Sequence, residues 1–213
     1  MIKNTDQHIK TVQRKLDILA RAAIDAGTSC AVWRHFIDPE IHSEYGYQLD
    51  TYIPSFNAIR RTAEISSIIC TARFADRSKG TVSFPKVADY LMKNDWNRQL
   101  VSEASEKFES QNDVWRKVKL IRDKVFAHAA QSTGEVEVYK EAGITPDEFS
   151  LAIETALEIS IDLQCAAGQD IYRSCRGDAN EIRRDLEKLM SNLKNGRRAV
   201  LAEIKERHSA NKM

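Results

Sequence analysis

Glycine and proline are scarce in this chain: 8 and 4 of 213 residues. So few helix breakers leave long uninterrupted helices as the natural reading and point to an all-α protein. Long hydrophobic runs are missing too. None reaches the roughly 18 residues of a membrane span, and the polar start from Met1 to Lys10 does not read as a signal peptide, so no membrane partner and a cytoplasmic location are expected. Cys30, Cys70, Cys165 and Cys175 fall in no CxxC or Cys/His ligand spacing, which suits a reduced setting; neither a metal nor a cofactor is expected. Charge of one sign is also missing. With a formal net charge of +1, any attraction for a polyanion must come from a local patch.

Hydrophobic content of 42% with 30% charged residues suits a folded core, and the length allows one domain with an appendage. Ile9, Val12, Leu16, Leu19, Ala23 and Ala26 recur at steps of three and four, which predicts a helix from Lys3 to about Ile37, weakened at Gly27-Thr28. Asp38-Pro39 breaks it, and Tyr45-Gly46-Tyr47 reads as a loop. A second helix spans about Pro54 to Asp76, apolar nearly all round at Ile65–Cys70 and so the most buried. Arg77–Gly80 forms a basic loop, and Ser83 with Pro85 starts a short helix to Lys93.

Asn112-Asp113 can cap a helix carrying Val114, Val118, Ile121 and Val125 on one stripe and ending near His128. The polar segment 131–143 holds Val136 and Val138 at period two, as a loop or small hairpin would. Thr145-Pro146-Asp147-Glu148 is a capping box opening a long helix to about Cys175. Gly177-Asp178 punctuates. Ile182, Leu186, Leu189 and Leu193 then mark a charged last helix, interrupted at Gly196, which packs along the bundle or a second copy or contacts RNA. The expected division is a bundle over 1–176 and an appended helix over 177–213.

Between these elements lies Arg122-Asp123-Lys124-Val125-Phe126-Ala127-His128, an arginine that keeps its charge beside an acid and a histidine that titrates near neutrality. The bare spacing from arginine to histidine is expected about once by chance in a chain with this many arginines and five histidines, so context must carry it. Asp113 to Lys124 holds five bases and two acids, against eight acids and one lysine in 131–163. On an ideal helix Arg122 and His128 lie about 120° apart and about 9 Å along the axis, flanking the apolar stripe. If that stripe meets the same helix of a second subunit, two arginines and two histidines converge on one cleft. The alternative is an arginine paired with a surface acid and a histidine at a helix C-terminus. His35 and His42 straddle a helix break without regular ligand spacing, and Trp33, Trp96 and Trp115 read as core anchors before base-stacking groups.

Arg122-Asp123-Lys124-Val125-Phe126-Ala127-His128-Ala129 resembles the signature of the HEPN superfamily (higher eukaryotes and prokaryotes nucleotide-binding): Arg, a polar Asn, Asp or His, three to five residues, then His. Asp-Lys after the arginine and Ala-His at the end are similar to its abortive-infection U-type branch. Arg60-Arg61-Thr62-Ala63 to Thr71-Ala72-Arg73-Phe74-Ala75-Asp76 resembles that branch's central helix ending in aspartate, and Val82-Ser83-Phe84 the segment after it. The likeness covers roughly residues 8–170. It implies an up-and-down helical bundle, commonly dimeric, acting as a metal-independent endoribonuclease toxin or antiviral effector. Arg122 would hold the scissile phosphate, His128 would move protons, and Asp123 would orient one of them. Lys119 and Lys124 are candidate RNA-backbone contacts. The resemblance also admits a non-catalytic dimer that binds a partner protein or nucleotide, and a toxin paired with a nucleotidyltransferase-type antitoxin.

Overall fold

The computed structural model describes residues 5–127, 135–167 and 175–210. Among these are nine α-helices and no strand: α1 Thr5–Ile37, α2 Pro39–Thr51, α3 Ile53–Ala75, α4 Phe84–Lys93, α5 Arg98–Ser110, α6 Asn112–Ile121, α7 Glu135–Ala142, α8 Pro146–Ala166 and α9 Cys175–Ala210. One π-helical turn, Arg122–Ala127, continues α6. The protein is an all-α bundle with a long C-terminal helix.

α1 is the spine, packed by α3, α8 and α9. Leu16, Leu19, Ala23 and Ala26, at helical spacing, are all but fully buried there. Gly27 does not weaken this helix. A Cβ built there would stand 3.2 Å from Leu157 Cδ1, so the missing side chain lets α8 approach closely. α8 begins where the sequence says it should: Thr145 Oγ1 accepts from the Glu148 N–H, and Glu148 Oε2 accepts from the Thr145 N–H. Five aromatic rings, Phe74, Phe84, Phe108, Trp115 and Phe149, sit in the main core, with Trp33 edge-on to Phe149.

Several local expectations give way. Tyr45-Gly46-Tyr47 lies inside α2, kinked at Tyr45 (φ −119°, ψ 15°), because Tyr45 is buried in a second cluster with Phe36, Leu49, Phe56 and Met190. α3 is not apolar all round in its setting: Ile69 is exposed while Ser67 and Ile68 are buried. The period-two valines belong to α7, with Val138 buried and Val136 exposed. Gly177-Asp178 and Gly196 interrupt nothing, since α9 runs through both. Its packing register also differs by one residue: Met190 is fully buried between Leu186 and Leu193, and Leu189 faces solvent.

The apolar stripe of α6 needs the largest correction. Val114, Val118 and Ile121 are 7%, 0% and 1% exposed within a single chain, packed into the main core. They are therefore unavailable as a two-fold seam. Ile121→Asp would place a charge in that core and should abolish the cooperative helical melt outright, whereas Ile121→Val should cost about 0.5–1.5 kcal/mol; a folded, monomeric Ile121→Asp protein by circular dichroism and sedimentation would contradict this packing. For α9, Met190→Ala should lower unfolding free energy by about 2–5 kcal/mol. Leu189→Ala should stay within about 0.5 kcal/mol, both read from denaturant titrations of helical signal.

Candidate active site

Burial of Val118 and Ile121 aims the next turn at the end of α3. There Asp76, 7% exposed, closes that helix as its C-cap. One carboxylate oxygen, Oδ1, accepts from the Ser78 N–H at 2.9 Å and the Ser78 hydroxyl at 2.6 Å. The other, Oδ2, accepts from Arg122 Nη1 at 3.0 Å. On the opposite edge of the guanidinium, Arg122 Nε donates to Asp123 Oδ1 at 2.7 Å, and Nη2 forms an ion pair with the same oxygen at 2.6 Å. Two of the five N–H donors of Arg122, one on Nε and one on Nη1, are thus hydrogen-bonded among the described residues.

The two acids differ in kind. Asp76 is enclosed and hydrogen-bonded at both oxygens, whereas the Asp123 side chain is 39% exposed and, among the described residues, anchored by Arg122 alone. Burial works to raise the Asp76 carboxyl, but the Ser78 hydroxyl and amide and the Arg122 guanidinium outweigh it, holding the group below the usual carboxylate range. At Arg122 burial opposes the charge, and Asp123 and then Asp76 overcome it, so the guanidinium is held in its charged form.

The backbone that presents Arg122 is not an ideal α-helix. From Arg122 to Ala127 it forms a π-helical turn with i→i+5 bonding, a feature often found at functional sites. The 120° separation expected of an α-helix therefore does not hold along this segment. His128 lies outside the described residues. Around the turn, Arg61 stacks over the Phe126 ring at 5.3 Å and donates to Glu64, which also accepts from the Tyr139 hydroxyl at 2.8 Å. Lys124 donates to both carboxylate oxygens of Glu141 at 2.7 and 2.8 Å, an exposed pair of small energy. These contacts tie α3, the π turn and α7 together.

Of the residues singled out by sequence, Arg122 and Asp123 are joined, Lys124 is paired with Glu141, and Lys119 is exposed with no ion pair among the described residues. Asp76 and Ser78 carried no assigned role. Their signal was the aspartate ending the central helix, visible only as part of the family likeness. His35 is buried with neither ring nitrogen hydrogen-bonded among the described residues, and His42 Nε2 lies 2.8 Å from the Phe36 carbonyl, so the two histidines do different things.

Because the folded state lowers the Asp76 pKa, its contribution to stability is complete above the unfolded value of about 4 and is lost as pH falls through the lower folded value. Asp76→Asn should melt below wild type at pH 7, and the gap should narrow below about pH 4. A gap independent of pH across this range would mean that the charge of Asp76 contributes nothing. Compared with known proteins, the chain matches no protein-family model, no curated protein and no solved structure.

Proposed function

We propose that this chain is a metal-independent endoribonuclease of the HEPN type, acting as a toxin or abortive-infection effector against RNA. The observation that carries the reading is the asymmetric clamp on Arg122. Asp76 fixes the guanidinium from a buried position, while Asp123, half-exposed and anchored among the described residues by Arg122 alone, occupies the Nε/Nη2 edge. That edge has the geometry for a bidentate oxyanion, and a phosphate would displace Asp123 from it without disturbing Asp76.

The chemistry follows from these groups and His128. The 2′-hydroxyl adjacent to the scissile phosphate attacks phosphorus; its proton passes to a neutral imidazole. The P–O5′ bond breaks as a protonated imidazole gives its proton to the leaving oxygen. The products are a 2′,3′-cyclic phosphate and a 5′-hydroxyl. An imidazole with an ordinary pKa near 6.5 supplies both forms at neutral pH, and a second copy of the chain would supply the second His128. Arg122 stabilises the charge that gathers on the non-bridging oxygens. The shared seam cannot be the buried α6 stripe, so a dimer would form through another surface.

A second reading has one observation in its favour. Arg122 flanked by Asp76 and Asp123 carries a local charge of −1, which suits a structural ion network in a non-catalytic helical module that binds a partner protein or nucleotide, a nucleotidyltransferase-type antitoxin included. Cleavage separates the two. Wild-type protein in chelator should cut RNA to products ending in cyclic phosphate, and His128→Ala should reduce the rate by at least about 100-fold. Arg122→Lys keeps a cation beside Asp76 but loses the planar fork, and should fall by a similar factor with its melt largely retained. Intact RNA under all these conditions, or 5′-phosphate products, would sink the nuclease reading.

A further inference from the structure

Beside the clamp is a cleft of about 520 Å³ between the end of α3, α5 and α6. Its floor includes Ala72, Ala75, Phe108 and Trp115. Trp115 is fixed there: its ring stacks on Phe108 at 5.3 Å and its indole N–H donates to the Phe108 carbonyl at 2.9 Å. Asn112, the Asp113 carboxylate and three cations, Arg77, Arg116 and Lys119, line the same cleft. All three are exposed. Asp113 accepts from Arg116 at 2.7 Å and also pairs with Lys117, while Glu109 approaches Arg77 only to 3.7 Å. Such exposed pairs exchange readily for another anion.

The chain connects this cleft to the clamp on both sides. Ala75 and Arg77 bracket Asp76, and Lys119 stands one helical turn before Arg122, a spacing that makes neighbours on a helix surface. The clamp itself carries a net −1, which repels a polyanion. The adjoining cations supply the attraction it lacks.

We infer that this cleft is a nucleotide subsite for single-stranded RNA next to the scissile phosphate, with backbone phosphates held by Arg77, Arg116 and Lys119 and a base resting on the apolar floor. The inference rests on the proposed ribonuclease reading for its substrate, but its test reads binding and not cleavage. Its size is that of a small-ligand pocket, and a cationic rim over aromatic and alanine side chains matches the amphipathic chemistry of a nucleotide.

The test uses full-length His128→Ala protein, a fluorescein-labelled RNA decamer, an abasic decamer of equal charge, and a decaglutamate peptide. Binding is followed by anisotropy across a salt series. Each of Arg77→Gln, Arg116→Gln and Lys119→Gln should make the slope of log K against log salt shallower by about 0.7 for every phosphate the protein no longer neutralises. Arg198→Gln, on α9, should leave the slope unchanged. The abasic decamer should bind at least several-fold more weakly than the RNA, and decaglutamate more weakly still. Slopes unmoved by all three cleft substitutions would overturn the subsite even if the protein cleaves RNA. Equal binding of the abasic strand would remove the base from the floor, and equal binding of decaglutamate would assign the cleft to acidic peptides. Salt-sensitive RNA binding through the cleft with no cleavage by wild type would keep the subsite and discard the nuclease reading.

Discussion

The enclosed charge of Asp76 sets the terms for the rest of this region. An ionised carboxylate at 7% exposure is tolerable only when its oxygens are occupied by strong donors, and Ser78 supplies two while Arg122 supplies the third. Arg122 can reach Asp76 because Val118 and Ile121 are sunk in the core on the preceding turn, which fixes the azimuth of α6 against α3. The same requirement ties the loop after α3 down through Ser78 and presents Arg77 at the mouth of the neighbouring cleft. One buried acid thus couples helix termination, helix packing and the placement of an arginine whose remaining edge faces an exchangeable partner. Removing Arg122 entirely would strand that acid, so a substitution that keeps a cation is the cleaner probe of its chemistry.

Periodicity made the large elements legible because their partners are internal. In α1 the spacing of Val12, Leu16, Leu19 and Ala23 is also the spacing of burial, and in α8 Thr145 and Glu148 cap by purely local chemistry. Failure came where tertiary packing overrode a local signal. Gly46 suggested a loop, yet the helix resumes directly after a kink at Tyr45, whose ring is buried with Leu49 and Met190 beneath Lys194. A one-residue error in α9 arose because Leu189 and Met190 fit a heptad equally well, and only the shape of the small cluster around Phe36 and Phe56 chooses between them. The π turn left no mark that simple periodicity could register.

The candidate site was legible as residue types but not as a constellation. Arg122 and Asp123 are adjacent in sequence, so their pairing could be anticipated; Asp76, 46 positions away, could not be placed by spacing alone. The cationic segment from Asp113 to Lys124 likewise divides in three dimensions. Lys117 turns to Asp113 and Glu148, Lys124 to Glu141, and Arg116 and Lys119 to the cleft shared with Arg77. A run of charge in sequence is therefore a poor measure of available charge, because neighbouring acids consume some of it and helical geometry scatters the rest.

The same distinction applies to α9. Thirty-six helical residues extend about 54 Å. Its packing on α1 and α2 centres on Met190, and Lys194 reaches back to Glu44. Beyond Arg197, whose guanidinium lies over the Tyr47 ring, Val200, Leu201 and Ile204 are all exposed on an otherwise charged helix. Where α9 packs on the end of α1, His35 is buried without a hydrogen bond among the described residues, and burial holds its imidazole below the ordinary range. The attached half of α9 is specified by that small apolar cluster. Its distal half is specified only by helix propensity and by pairs such as Arg207 with Glu203.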